Sequence, residues 1–328
     1  MRTGFVFGKF MPLHKGHIAL IEFALKHCDK LYVVICYTVK EPINFIIRKQ
    51  WLYQIFENAP SVTTVAFGYD EKDLPNTSVS SKEVSKLWAD AFKKILPDVD
   101  IVFTSEKYGD YVSEYMGIEH LSFDEMRNIV PISASAIREH SFQHWEYIPS
   151  FVRSFFVKKI CVVGTESTGK STLTRRLAEH YKTIYVPEMA REIIEETESC
   201  SYNDLFKIAE LHAKTIAERI LVANKLLIID TDLNITKSYS QFLFNKELNV
   251  DPRIEELNQF DLYLFLEPDC EYVQDGTRLS VEGRNKLSEH HKKFFQDKGI
   301  RFISIGGDWK NRFIESCKII DETFAPLS

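Results

Sequence analysis

Two short glycine-containing stretches carry residue types suited to holding phosphate groups, and the clearer one lies near the middle of the chain. It reads GTESTGKS over residues 164–171, after an apolar, β-branched run at 160–163 and before a helical pattern. A strand, a glycine loop and a helix in this order form a phosphate-binding loop, in which backbone N–H groups surround the phosphates of a nucleotide. The spacing therefore predicts an ATP site at this point.

The side chains of this loop have expected roles. Lys170 should reach the β- and γ-phosphates as a catalytic residue, and the Ser171 hydroxyl should coordinate Mg²⁺. Arg278 and Arg284 lie in a charged stretch that either closes over the phosphates or remains a solvated helix. The other residues predicted to bind ATP in this half are Gly164, Glu166, Ser167, Thr168, Gly169 and Thr172.

Acidic residues follow an apolar run further along, at 226–232. An Asp at a strand tip beside a phosphate loop holds Mg²⁺, so Asp230 is predicted to bind the metal or to act as the catalytic base. Asp232 is predicted to contact substrate hydroxyls. Glu188 and Arg191 follow a shorter strand, where they form either a helix ion pair or part of the substrate pocket. The sequence leaves open whether Asp230 or Glu188 is the base.

The second stretch follows the first apolar strand, residues 4–7, and reads GKFMPLHKGH from Gly8 to His17. His14 and His17 are three residues apart at a helix start, so both rings can face the same anion. Gly8 permits a sharp turn next to a ligand, and Lys9 adds positive charge. These four residues are predicted to bind ATP, with the two histidines as catalytic residues.

A serine- and arginine-containing segment, ISASAIR at residues 132–138, comes late in the same half. Ser135 is expected to cap a helix, which places Arg138 one turn later on the same anion. Ser133 is predicted to contribute to this ATP site.

Two further residues of the first half are candidates for binding the substrate. Trp88 either stacks on the substrate ring or packs in the core. Glu106 directly follows an apolar strand at 101–105. The end of a parallel strand is where ligands bind in open α/β sheets, which makes Glu106 the second candidate.

The elements that must position these residues follow a regular alternation. A fully apolar strand at 31–37 and further strand patterns at 61–67 and 101–105 alternate with helical patterns at 46–57 and 81–96. Such alternation is typical of a doubly wound parallel sheet, with its ligand crevice at the carboxyl ends of the strands. A chain of 328 residues suits two domains of this kind.

Composition narrows the range of partners. The net charge of −6 and the absence of long basic runs indicate no nucleic-acid or membrane partner. The six cysteines lack metal-ligand spacing and read as reduced thiols. Without a signal pattern or an apolar run of ~20 residues, we expect a cytoplasmic protein. His290 and His291, in a lysine-rich run, are expected to be exposed, and the sequence leaves open whether the protein is a homo-oligomer.

The motifs resemble those of one enzyme family. GKFMPLHKGH and ISASAIR are similar to the two signatures of the HxGH nucleotidyltransferases. Together with VFTSE, GTESTGKS, PEMARE, IIDTD and DGTR, in that order, they resemble the bifunctional NadR-type enzymes over nearly the whole chain. The resemblance implies an α/β fold of two doubly wound parallel-sheet domains, namely an HxGH nucleotidyltransferase Rossmann-like domain at 1–150 and a P-loop kinase domain at 157–328.

The same resemblance implies two activities. The C-terminal half would phosphorylate ribosylnicotinamide with ATP and Mg²⁺, and the N-terminal half would adenylylate nicotinamide mononucleotide to NAD and pyrophosphate. Some members carry a helix-turn-helix domain; because the first strand begins at Gly4, we expect none here. Two alternatives stay open: another substrate for the first half, such as flavin mononucleotide or phosphopantetheine, and a regulatory nucleotide-sensing role for the second.

Overall fold

The chain divides into two compact units, Met1–Val152 and Arg153–Ser328. The computed structural model describes residues 1–75, 81–193, 200–270 and 280–324, without the side chains of residues 191 and 192. In the described residues, each unit contains a five-stranded sheet in which the paired strands run parallel. The predicted fold class, α/β with two parallel-sheet domains, is therefore confirmed.

The first unit alternates strands and helices from its start. Its sheet has the order β3-β2-β1-β4-β5: the chain adds β2 and β3 on one side of β1 and then crosses to add β4 and β5 on the other side. Ligands of open α/β sheets bind at the carboxyl ends of the strands where the chain switches sides in this way. The elements are β1 (Thr3–Gly8), α1 (Lys15–Leu25), β2 (Lys30–Tyr37), α2 (Phe45–Phe56), β3 (Val62–Gly68), α3 (Lys82–Ile95), β4 (Ile101–Thr104), α4 (Tyr108–Met116), β5 (Glu119–Ser122), α5 (Ala134–Glu139), a 3-10 helix (Trp145–Tyr147) and α6 (Ser150–Arg153).

The central strands of this sheet are apolar because helices cover both of their faces. Phe5, Val34 and Val102 from three adjacent strands are buried together with Phe92 of α3 and Val112 of α4. The edge element β5 and the preceding helix α4 were not predicted, since their short polar sequences carry little periodicity.

The second unit repeats this architecture with different connections. Its sheet has the order β10-β9-β6-β8-β7, with β6 in the centre. The elements are β6 (Lys158–Val163), α7 (Lys170–His180), β7 (Tyr185–Val186), α8 (Ala190–Ile193), α9 (Tyr202–Arg219), β8 (Leu226–Asp230), α10 (Leu233–Phe244), α11 (Pro252–Leu257), β9 (Leu262–Leu266), α12 (Val281–Asp297), β10 (Ile303–Ile305) and α13 (Trp309–Phe324).

The strands β8 and β9 flank β6 and are buried along their whole length. In the pairing of β6 with β8, Val162 lies opposite Asp230. This register brings the carboxylate at the end of β8 beside the strand that leads into the glycine loop. Within the described ranges, no helix is long and apolar enough to cross a membrane.

Candidate active sites

The histidine-containing site of the first unit lies where β1 ends and α1 begins. His14 is the N-cap of α1, and its buried ring accepts hydrogen bonds at Nδ1 from the backbone N–H groups of Gly16 (3.1 Å) and His17 (3.4 Å). A nitrogen that accepts these bonds carries no proton, so the proton of the neutral ring is on Nε2. The helix start thus fixes His14 with one N–H available as a donor.

The ring of His17 stacks on that of His14, with centroids 3.7 Å apart and an angle of 24°. Burial and the positive charge of Arg127 lower the pKa of His17 to about 3. Burial, His17 and Arg127 also lower the pKa of His14 well below its usual value. Both imidazoles are therefore neutral at pH 7, and Nδ1 of His17 has no hydrogen-bond partner among the described residues. The pair offers polar ring nitrogens to a ligand, and the positive charge comes from other residues.

Lys9 is one of those residues, and it belongs to a partly buried ion cluster. Its ammonium lies 3.1 Å from Glu41 and 3.4 Å from Glu71. Burial alone would lower the pKa of Lys9, but hydrogen bonds with Glu41 and Tyr69 outweigh this effect and raise it. Arg48, which is fully buried, pairs with Glu41 and donates to the Lys9 carbonyl at 2.6 Å. Lys9 thus stays charged directly after β1, next to Gly8, which is also predicted to bind ATP.

The ISASAIR segment forms α5, but its cap differs from the prediction. Ser133, not Ser135, is the N-cap and accepts a hydrogen bond from the Ala136 N–H at 3.1 Å. Ser135 instead accepts from Arg138 at 2.9 Å, and the same guanidinium donates to the Met11 carbonyl. Arg138 therefore joins the second signature to the loop that precedes His14, as an arrangement around one ligand requires.

Sequence reasoning missed Arg127, whose charge acts on both histidines. It lies in the loop between β5 and α5, where the Asp124 carboxylate accepts three backbone N–H bonds, from residues 128–130. Arg127 forms an exposed ion pair with Glu106 at 3.4 Å. An arginine five residues before the second signature was the only available signal, and it became informative only once the loop was folded.

The predicted substrate residue Trp88 packs in an aromatic cluster on α3. Its ring lies edge-on to Tyr69 and Phe67, at centroid distances of 4.9 and 6.1 Å. Its indole N–H donates to the Pro75 carbonyl at 3.1 Å. The side chain is half-buried, so it supports the core and also keeps an accessible part. Stacking of Trp88 on a substrate therefore stays a prediction.

In the second unit, the glycine loop joins β6 to α7 in the geometry of a phosphate-binding nest. Gly164, Ser167 and Gly169 have positive φ angles of 140°, 58° and 83°. Left-handed residues alternating with right-handed ones turn successive N–H groups toward one concavity, which binds anions. Lys170 is buried and donates from Nζ to the Thr165 carbonyl at 3.0 Å. An ammonium has three protons, so two remain for phosphate oxygens.

The residues predicted to hold Mg²⁺ lie beside this loop. Asp230 ends β8 and is buried, and its Oδ1 accepts a hydrogen bond from Thr231 Oγ1 at 3.3 Å. Ser171 is half-buried in the first turn of α7, and Thr172 is exposed. The described residues contain no group of three His, Cys, Asp or Glu side chains that could hold a metal ion. One carboxylate and one hydroxyl suit a metal that takes its other ligands from water and phosphates, as Mg²⁺ does.

The structure shows a capping role for Asp232 that the sequence did not predict. It is the N-cap of α10, with Oδ1 accepting from the Ile235 N–H at 2.9 Å. Its Oδ2 accepts from the Tyr263 hydroxyl at 2.8 Å and from the Asn234 amide at 2.7 Å. Both oxygens of this buried carboxylate accept hydrogen bonds within the protein, so Asp232 positions α10; a contact with substrate hydroxyls stays a prediction.

Of the other predicted pocket residues, some are described by the structure and some are not. Glu188 follows β7 half-buried, and its charge acts on His212 and on Tyr239 of α10. Glu166 of the glycine loop acts on the same tyrosine. The side chains of Arg191 and of all residues from 271 to 279 lie outside the described residues, and these include Arg278.

One prediction for α12 is wrong, and the structure disfavours one of two alternatives for another residue. Arg284 is buried and donates to the Pro268 carbonyl at 2.9 Å, which disagrees with the solvated alternative; a role in closing over the phosphates stays a prediction. His291 is fully buried, with Nδ1 2.8 Å from the Ser238 hydroxyl, although its lysine-rich surroundings had predicted exposure. Burial, together with the positive charge of Lys170 and His290, lowers the pKa of His291 to about 3. His291 lies on the same inward face of α12 as Leu287, Phe294 and Phe295, a periodicity that the local composition conceals.

The two sites define a chain that combines an HxGH-type nucleotidyltransferase unit with a P-loop unit. Residues 5–140 match the cytidylyltransferase-like family, and residues 159–312 match the AAA domain family. The trifunctional NAD biosynthesis/regulator protein NadR of Escherichia coli K12 is 30% identical over 342 residues, which cover 97% of this chain and 82% of that protein. The chain therefore belongs to the NadR family.

Two solved structures share this fold along nearly the whole chain. A NadR protein in complex with NR matches with a TM-score of 0.78 at 20% identity, covering 99% of this chain and 96% of the other. A NadR protein in complex with NAD and AMP-PNP matches with the same TM-score and identity, covering 98% and 96%. At this identity the likeness shows the common fold, and the residue roles rest on the geometry described above.

Proposed function

We propose that the protein is a bifunctional enzyme of NAD synthesis and salvage. Its second unit phosphorylates ribosylnicotinamide with ATP, and its first unit joins the resulting nicotinamide mononucleotide to the adenylyl group of ATP, releasing pyrophosphate. One observation carries this proposal. Two separate parallel sheets each end their central strand in a phosphate-binding segment, and the two segments differ in chemistry. Membership of the NadR family supports the substrates.

In the first unit, a phosphate oxygen of the mononucleotide attacks the α-phosphorus of ATP while the bond to pyrophosphate breaks. This reaction needs no covalent intermediate; it needs two anions held in line and charge stabilised as it develops. We assign the Nε2–H of His14 and the ring of His17 to the ATP phosphates, because both imidazoles are fixed and neutral. Lys9 and Arg138 supply permanent positive charge around them.

Arg127 extends this assignment to the second anion. Its charge reaches both histidines, and its partner Glu106 is exposed on a loop. An exposed ion pair contributes little stability, so a phosphate can replace the carboxylate at small cost. We assign Arg127 to the phosphate of the mononucleotide or of ATP, and Glu106 and Trp88 to the adjoining substrate pocket.

In the second unit, the 5′-hydroxyl of ribosylnicotinamide attacks the γ-phosphorus and ADP leaves. The loop N–H groups and Lys170 hold the β- and γ-phosphates. Ser171 and Asp230 would hold Mg²⁺, which when bound stabilises negative charge on the phosphates. The hydroxyl proton passes to a carboxylate, and the chain offers Asp230 and Glu188. Comparing Asp230→Asn with Glu188→Gln identifies the base, because only loss of the base gives a rate that recovers as pH rises.

We assign these reactions to the predicted domains 1–150 and 157–328. The substrates and products, ATP, ribosylnicotinamide, nicotinamide mononucleotide and NAD, are small soluble molecules. Together with the net charge of −6, this supports a cytoplasmic protein without a nucleic-acid partner.

The test uses the full chain with ATP, Mg²⁺ and ribosylnicotinamide, and follows the mononucleotide and then NAD by chromatography. Both products are expected in that order. Lys170→Ala should abolish the first step and leave the conversion of supplied mononucleotide to NAD intact. His17→Ala should do the reverse. If either substitution abolished both reactions in a folded protein, the assignment of two independent sites would be wrong.

A further inference from the structure

A buried side chain of α13 links the phosphate loop to the ends of two strands of the second unit. Arg312 of α13 is 1% exposed, and its guanidinium donates from Nη1 to the Thr168 carbonyl at 2.9 Å. It also donates to the carbonyls of Gly307 at 2.7 Å and Glu267 at 2.9 Å, and it pairs with the Asp269 carboxylate. Three of these four acceptors lie at the ends of β9 and β10, which form a rigid base for the fourth.

The bond to Thr168 fixes the direction of the next N–H group in the loop. A peptide group is planar, and its C=O and N–H bonds point in opposite directions. Holding the Thr168 carbonyl toward Arg312 therefore turns the Gly169 N–H toward the opposite face of the loop. The preceding peptide is held in the same way, because the Cys270 thiol lies 3.3 Å from the Ser167 carbonyl.

Packing closes the outer face of the loop at the same point. A Cβ atom on Gly169 would lie 1.8 Å from the Trp309 ring, so the first residue of α13 lies directly on the loop backbone. Arg312 follows one turn later and reaches the adjoining carbonyl. Phosphate cannot approach from this side, which leaves the face toward which the Gly169 N–H points.

We propose that Arg312 is a positioning residue for ATP in the kinase unit: it holds the Thr168 carbonyl outward and so aims the Gly169 N–H at a phosphate oxygen. The inference rests on the proposed kinase function only for the identity of the second substrate. Arg312 does not touch the substrate; it acts through the loop. A planar guanidinium with five donors can serve four oxygens at once, whereas an ammonium with three protons cannot.

A residue that only supports the fold would behave differently in one respect. Loss of general support weakens the binding of both substrates and lowers the stability of the unit at the same time. Loss of loop orientation weakens the binding of ATP alone, since ribosylnicotinamide does not bind to the loop amides. The ratio of the two KM values therefore separates the two roles.

The decisive variant is Arg312→Lys in the full chain, with KM and kcat measured separately for ATP and ribosylnicotinamide. We expect the KM for ATP to rise about tenfold or more, because the charge-assisted hydrogen bond that aims the Gly169 N–H at a phosphate oxygen is lost. The KM for ribosylnicotinamide should change by less than about threefold. Titration with magnesium–ATP in a His17→Ala background, which suppresses the other ATP site, should show the same loss of affinity.

The matched control is Tyr181→Phe. The Tyr181 hydroxyl ties α13 to the end of α7 that lies opposite the loop, through the Cys317 carbonyl (3.1 Å) and the Asp321 carboxylate (2.9 Å). This control should leave both KM values unchanged. Asp269→Asn, which weakens the anchor of Arg312 without touching the loop, should give an intermediate rise in the KM for ATP and keeps the test valid if Arg312→Lys does not fold.

The proposal is overturned if Arg312→Lys binds ATP within about twofold of the parent, or if it changes both KM values in parallel, as a general loosening would. If the parent chain binds magnesium–ATP but does not phosphorylate ribosylnicotinamide, the proposed function fails by itself. The loss of ATP affinity in Arg312→Lys would still decide the role of Arg312.

Discussion

Replacement of Arg48 by Met should lower the free energy of unfolding of the first unit, because the buried Glu41 carboxylate loses its arginine partner. Arg48 is fully buried, pairs with the nearly buried Glu41 carboxylate and donates to the Lys9 carbonyl at 2.6 Å. Removing one partner of a buried ion pair costs about 3–5 kcal/mol, because the remaining charge stays desolvated. Lys9, 3.1 Å from Glu41, compensates part of that charge, so we expect about 3 kcal/mol.

The double variant Arg48→Met/Glu41→Gln tests the origin of this loss. If the penalty comes from an uncompensated carboxylate, neutralising Glu41 should restore roughly half of the lost stability. Urea unfolding followed by tryptophan fluorescence is a suitable assay, because Trp51, Trp88 and Trp145, three of the four tryptophans, lie in the first unit.

The single variant Arg48→Met should also impair adenylyl transfer under conditions in which the protein is still folded. Without Arg48, Glu41 is free to draw Lys9 away from the ATP phosphates, so the KM for ATP in that reaction should rise roughly tenfold. Ribosylnicotinamide phosphorylation in the same preparation should stay within about twofold of the parent. A double variant as unstable as the single one, or a loss below about 1 kcal/mol, would refute the reasoning.

Three further predictions concern the second unit. Gly169→Ala should reduce kinase activity at least about tenfold and leave adenylyl transfer intact, since the new Cβ meets Trp309 and the φ of +83° disfavours alanine; kinase activity within twofold of the parent would contradict the described packing. Asp232→Ala should lower the free energy of unfolding by about 2–4 kcal/mol, measured by hydrogen exchange of the β8 amides, because the helix cap and a buried acceptor are lost together; Asp232→Asn, which keeps the cap oxygen, should cost less. Acidification from pH 7.5 to 5.5 should destabilise this unit by about 3 kcal/mol. His212 and His291, with pKa values of about 4 and 3, stay neutral in the folded state while the unfolded chain takes up protons below pH ~6.5. A variant carrying His212→Leu and His291→Leu should lose most of this pH dependence, and an unchanged dependence would show that other groups cause it.

The sequence was sufficient for the two glycine-containing segments and for the fold class. The glycine loop at 164–171 and the helix start at His14 need only neighbouring residues to be recognised, and the structure places both after central strands. The alternation of apolar strands with helices was enough for the fold class, because buried parallel strands are apolar along their whole length.

One feature that depends on a distant contact was missed, and two local features were predicted wrongly. The Arg312 side chain meets the loop across 144 residues of sequence, and no local pattern marks it. Ser133 and Ser135 compete for one helix cap, and only the backbone conformation decides between them. His291 looked exposed because composition was read in place of periodicity, although it lies on the inward face of α12.

The distance in sequence between the phosphate loop and α13 also bears on how the enzyme matures during translation. At about 5–20 residues per second, the ribosome needs roughly 7–30 s to proceed from Thr168 to Arg312. The first unit, whose site is closed by Arg138, is complete before the glycine loop is made. A growing polypeptide thus gains its adenylyl-transferring half early and its phosphorylating half only once α13 has been made. A premature stop between the end of the first unit and α13 would leave an enzyme that still consumes the mononucleotide but no longer makes it.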